Sequence, residues 1–230
     1  MTGKTGKTGE MGKAGTYRLP VLAVLSVLPV LPVSPVLPVL TAQTVRIGIH
    51  GVGLTHTEIA PARRAEGGGV GGLVSVRWRR FGLDLSGHVA RMDSVDGGPK
   101  LFDLYQGDVR LSYRVATGLA LEVGAGRRFI QPDFAAEDVG VTRAGILSEI
   151  RLSSLGTVWG RGAYLLAPKF SGGGSAGLAV ELGFGAGLGT RNGRFRFRVE
   201  YEFQRIDRSV NDVAVPIQTS LAKVGADVGF

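Results

Sequence analysis

Between Arg194 and Ile206 the chain reads RFRFRVEYEFQRI, with Phe195, Phe197, Val199, Tyr201 and Phe203 at odd positions and Arg194, Arg196, Arg198, Glu200, Glu202 and Gln204 at even ones. Strict alternation makes one face of a β-strand apolar and the other ionic. A strand in a soluble sandwich typically has about 5–6 residues. A strand that crosses a bilayer needs about 9–11, with an apolar face to lipid and a polar face to an enclosed lumen. This stretch fits the second case.

Ten stretches read as strands: 43–57, 70–79, 81–91, 104–115, 119–130, 140–152, 156–168, 176–189, 194–206 and 217–230. No apolar period of 3.6 holds over a useful window. Glycine, with 37 residues, is about twice its usual share and lies among the strand formers, as suits a barrel with bends and crowded interior side chains. The connections alternate in kind. Long polar ones (58–69, 92–103, 131–139, 207–216) alternate with tight ones at Arg79-Arg80, Ala116-Thr117-Gly118, Ser153-Ser154-Leu155 and Arg191-Asn192-Gly193. Gly67–Gly69 and Gly172–Gly174 lack the Lys-Ser/Thr of a phosphate loop and read as flexible outer loops. Parity supports a reversal at Arg79-Arg80: Val74, Val76 and Trp78 are even, whereas Phe81, Leu83 and Leu85 are odd. Asn192-Gly193 suits a type I′ hairpin.

That hairpin sets a register in which opposed numbers sum to 385, placing Gly187, Gly185 and Gly183 opposite Arg198, Glu200 and Glu202. Pairing Ile206 with Ile217 places Glu200 opposite Lys223 and Arg196 opposite Asp227, each pair worth about 0.2–1 kcal/mol. The polar face thus lines the lumen. The charge network expected there comprises Arg110, Arg114, Glu122, Arg143, Glu149, Glu181, Arg196, Arg198, Glu200, Glu202, Lys223 and Asp227. Arg46, Arg77, Asp84, His88, Asp108, Arg128, Arg151 and Arg161 share that face. Buried ions need partners or water. A plug of Arg–carboxylate pairs and a hydrated, anion-favouring pore both satisfy that need, and a barrel of 8–10 strands, filled by its own side chains, favours the plug. The outward belt includes Trp78, Phe81, Tyr105, Tyr113, Phe195, Phe197, Tyr201 and Phe203.

Residues 1–42 form a domain of their own kind: a basic start followed by the apolar run LPVLAVLSVLPVLPVSPVLPVL, the layout of an export signal with a mature start near Gln43. The recurring prolines argue against a permanent spanning helix. With no cysteine, there is no disulfide framework and no thiolate metal site. The net charge of +8 is spread singly along the strands rather than in blocks, which argues against nucleic acid.

The chain ends on Phe230 with Val228, Ala226, Val224 and Ala222 on the same face, which resembles the terminal signature of bacterial outer-membrane β-barrels. The resemblance spans 43–230. It implies an all-β, antiparallel up-and-down transmembrane barrel of about ten strands, eight being the alternative count. It also implies a place in the outer membrane, lipid as a partner, Phe230 as the signal read by the barrel-insertion machinery, and a monomer. The expected role is structural, surface-interacting or narrowly pore-forming, without catalytic residues, cofactor or metal. Ten strands also resemble the omptin proteases, and lipid-modifying barrels use Ser or His with a polar partner. His56 and Glu58 end strand one, and Asp93 and Asp96 follow strand three. The strands read as too short to raise a tall rim, however, and His56 reads as an exposed loop residue. Asp84, Ser86 and His88 share a face but sit mid-strand. A soluble β-sandwich or ligand-binding barrel is the remaining alternative.

Overall fold

The computed structural model describes residues 44–59, 62–95, 101–132, 135–190 and 193–230. The expected export signal over 1–42, the start near Gln43, Asp96 and the Arg191-Asn192 part of the expected type I′ turn lie outside these residues. The wall consists of β1 (Thr44–Glu58), β2 (Arg63–Trp78), β3 (Phe81–Ser94), β4 (Phe102–Ala116), β5 (Leu119–Gln131), β6 (Val139–Arg151), β7 (Gly156–Phe170), β8 (Ser175–Gly189) and β9 (Phe195–Val210). A two-residue return, β10 (Val213–Ala214), pairs with the end of β9, and β11 (Ile217–Gly229) completes the wall. Neighbours are antiparallel, and β11 bonds both β9 and β1, so the sheet closes on itself. This is an all-β up-and-down barrel with ten long staves.

The expected registers hold. Gly187, Gly185 and Gly183 oppose Arg198, Glu200 and Glu202, while Glu200 opposes Lys223 and Arg196 opposes Asp227. All eight aromatics of the expected belt fall on outward positions, and Phe195 and Phe197 are the most open of them, at 51% and 66% exposure. Trp159 and Tyr164, on opposite parities of β7, separate cleanly: Trp159 is buried inside and Tyr164 is exposed outside.

The wall is taller than the alternation suggests, because polarity inverts along it. In the half nearer the short turns, apolar side chains face out and ionic ones face in. Nearer the long connections the outward residues become polar: Thr55 and Thr57 on β1, Arg64 and Glu66 on β2, Arg91 and Asp93 on β3, Arg205 and Asp207 on β9. The inward residues there become apolar. Val52, Leu54, Ala65, Ala90, Met92, Phe102, Leu104, Ile130 and Leu221 form one cluster. A second contains Val139, Val141, Leu165, Phe170, Ala179, Ile206 and Ile217. Burial of each large side chain here contributes about 1.5–3 kcal/mol. A wall with a polar exterior and an oily interior suits water, so this half stands clear of the hydrocarbon. The expectation of strands too short to form a rim is therefore wrong. The inversion shifts apolar parity without any backbone slip, and that shift reads as a strand end.

Three further expectations are corrected. Gly67–Gly69 are not a loop: they lie in β2, between β1 and β3. Glycine is needed at Gly67 and Gly69 because a Cβ there would strike the carbonyls of Arg91 and Val89. Gly172–Gly174 belong to a tight connection between β7 and β8, where Gly173 and Gly174 have φ of 71° and 96°. The long loop expected over 207–216 is mostly the β9–β10 hairpin, turned by Asn211 and Asp212 with φ of 50° and 63°.

Candidate functional site

The interior has two layers. In the ionic layer, Arg110 lies between Glu181 at 3.0 Å and Glu202 at 3.2 Å, and Arg143 bridges Asp108 at 2.5 Å and Glu181 at 3.3 Å. Arg161 stands 3.8 Å from both Glu122 and Glu202. Asp227 takes two arginines, Arg46 at 2.7 Å and Arg196 at 3.0 Å, while Arg198 pairs with Glu200 at 3.2 Å. Lys223 opposes Glu200 in register but sends its ammonium diagonally to Glu202, 2.9 Å away. Mutual pairing lets these charges stay inside, since an unpartnered ion there would cost several kcal/mol.

Of the twelve network residues expected from the sequence, Arg110, Glu122, Arg143, Glu181, Glu200, Glu202, Lys223 and Asp227 are buried, and Arg196 and Arg198 are half-buried. Arg114 and Glu149 lie on inward-facing registers but are exposed, because they sit at the open short-turn mouth. Phe230 is 78% exposed there, its backbone bonded to Val45. A void of about 50 Å³ is bordered by His50, Asp84, Ser86, Arg110, Arg161 and Lys223 among others, with room for on the order of four waters. Asp84 is held by Arg77 at 2.9 Å, so it is not available to Ser86 or His88.

In the oily layer, His56, expected as an exposed loop residue, is buried together with Glu58, because residues 135–137 of the long polar connection 131–139 fold over them. A single 3-10 turn, Ala135–Glu137, follows β5 and inserts Glu137 into the mouth. His56 Nε2 lies 2.8 Å from Glu137 Oε2, and Nδ1 lies 3.2 Å from Thr219 Oγ1. Arg128 donates to Thr219 at 2.9 Å and to Gln204 at 2.6 Å. These residues stand above the outward apolar belt. Burial, reinforced by Arg128, pushes His56 down to about 3, so the imidazole is neutral. Its Nε2–H therefore donates to Glu137, and Nδ1 accepts from the Thr219 hydroxyl. Burial, then the hydrogen bond with Glu137, raises Glu58 to about 8. Thr219, His56 and Glu137 are connected in the order of a nucleophile–base–acid relay, but the adjoining void measures only about 10 Å³. That is space for about one water. Glu137 lies in a connection without periodicity, and only its charge next to an apolar stretch could have marked it. Asp93 is exposed outside the wall and does not join this group. Among the described residues, no cluster of three His, Asp or Glu side chains could hold a metal ion.

No family model and no curated protein matches the sequence. Among solved structures, the outer membrane protease OmpT from Escherichia coli aligns at 10% identity over 83% of this chain and 98% of that one, with a TM-score of 0.51. Neisserial surface protein A aligns at 13% identity over 81% of this chain and 97% of its own, with a TM-score of 0.39. Ail of Yersinia pestis does so at 14% over 81% and 98%, with a TM-score of 0.37. At such identities the likeness concerns architecture alone. The likeness to OmpT, together with the closed wall and its apolar belt, gives this chain the fold of the bacterial outer-membrane β-barrel proteins.

Proposed function

We propose that this chain is a closed, non-conducting barrel of the bacterial outer membrane that anchors and displays a water-exposed rim. Its role is structural or surface-interacting rather than catalytic. The observation that carries this reading is the filled lumen. Paired charges block its membrane half, hydrophobic side chains block the other, and the void among the paired charges is only about 50 Å³. A narrow anion-favouring pore would need a continuous hydrated path, and the cluster around Met92, Leu104 and Ile130, each 0% exposed, interrupts one. In the same reading the open Phe230 ring is the feature for the insertion machinery to recognise, and the protein works as a monomer.

Planar-bilayer recording on protein whose folding is verified by heat-modifiable gel mobility tests the proposal. The expected record has no unitary steps. Reproducible anion-selective steps would overturn it.

A further inference from the structure

The short-turn mouth carries a basic cluster that the lumen network does not use. β2 and β3 are joined by two residues, Arg79 and Arg80, both exposed. Arg114, exposed at the end of β4 on the inward-facing register noted above, donates its backbone N–H to the Arg80 carbonyl at 2.8 Å, so the backbones of three exposed arginines meet at one corner of the open mouth. None of them is in an ion pair among the described residues, and Asp84, the nearest carboxylate along β3, is bound by Arg77. Beside them stands an aromatic group: Trp78 stacks on Phe81 at 5.7 Å between ring centroids, and Phe81 meets Tyr113 at 5.1 Å. Phe81 and Tyr113 are 42% and 39% exposed on the lipid side. The Arg79 guanidinium lies 5.9 Å from the Trp78 ring centroid.

The backbone supplies a second observation. Arg79 has φ of 51°, a conformation that glycine adopts at no cost and a long side chain does not favour. A strained arginine thus occupies a turn position that glycine would fill more stably, which points to use of the side chain.

We propose that this corner binds the phosphate headgroup of an anionic phospholipid in the leaflet at the short-turn end. The guanidiniums hold the phosphate, and Trp78, Phe81 and Tyr113 lie along its acyl chains. Guanidinium forks match phosphate oxygens, and tryptophan and tyrosine settle at the level where headgroups meet hydrocarbon. The inference rests on the membrane reading above.

The chain has two tryptophans, and Trp159 is buried in the lumen, so quenching by lipids brominated on their acyl chains reports on Trp78. The folded protein is placed in phosphatidylcholine vesicles containing a minor fraction of phosphatidylglycerol, with either lipid brominated in turn. The quenching then gives the enrichment of the anionic lipid at Trp78. Enrichment of at least about fivefold is expected, the preference that one engaged arginine confers. The Arg80→Gln/Arg114→Gln variant should bring it close to one. Arg79→Gly, which relaxes the turn and so keeps the fold, should lower it in part. Arg127→Gln/Lys169→Gln, with the same charge change at the opposite end, should leave it unaltered. Equal quenching by the two lipids, enrichment that survives the Arg80/Arg114 variant, or displacement of the lipid by millimolar inorganic phosphate would each overturn the proposal. Lack of quenching by either lipid would instead overturn the membrane reading.

Discussion

Replacing Glu202 by glutamine removes one carboxylate that three cations share. Lys223 and Arg110 donate to it at 2.9 and 3.2 Å, and Arg161 stands 3.8 Å away. Removing one partner of a buried ion pair typically costs about 3–5 kcal/mol. Two features reduce that cost here. Arg110 keeps Glu181 at 3.0 Å and Arg161 keeps Glu122 at 3.8 Å. The adjoining void of about 50 Å³ can also admit water to the amide. Lys223 is the group left without its carboxylate, so the net loss should be about 2–4 kcal/mol, within the range for disrupting a buried charge network. Urea unfolding in lipid vesicles, followed by gel mobility, measures it through the midpoint at constant m-value. Adding Lys223→Met removes the stranded ammonium and should restore about 1–2 kcal/mol of that loss. A cost for Glu202→Gln below about 0.5 kcal/mol, the size of an ordinary surface change, would refute the claim that mutual pairing rather than hydration keeps these charges inside.

Two more outcomes follow from the geometry. Val224→Arg, on the apolar belt, should cost about 2–4 kcal/mol, while Gln218→Arg, on the same outward face of β11 but beyond the belt, should cost about 0–1; equal costs would contradict the polarity inversion. Docking of the Ala135–Glu137 turn should depend on pH. Glu58 is raised from 4.5 to about 8, so its contribution is complete below the lower value and is lost as pH rises through the upper one. A nitroxide at Ala136→Cys, unique in this cysteine-free chain, should gain mobility between about pH 7 and 9, and Glu58→Gln should suppress that gain. A spectrum indifferent to pH would remove the carboxyl pair as the latch.

What could be read in advance was whatever local alternation and turn chemistry encode. From the hairpin before Arg194 and the pairing of Ile206 with Ile217, two registers and the partnership of Arg196 with Asp227 followed directly. The limits have physical causes. Beyond Val89 the apolar set moves to Ala90 and Met92 while the backbone keeps its phase, and no residue pattern distinguishes a wall leaving hydrocarbon from a strand that stops. Gly67 and Gly69 have no side chains to mark a face, so their strand shows only in three-dimensional pairing. Burial of His56 depends on Glu137, 81 positions away. Lys223 took a diagonal partner because side-chain reach, not register, decides between Glu200 and Glu202.

The reversal of polarity partway up the staves acts like a waterline on a hull. A shift of two residues along β9 toward the short-turn end would immerse Arg205; an equal shift the other way would lift Phe203 into water. Either displacement is opposed at β1, β2, β3 and β9 at once, so the molecule should ride at one fixed height. A bilayer thicker or thinner than its belt would have to deform to meet it.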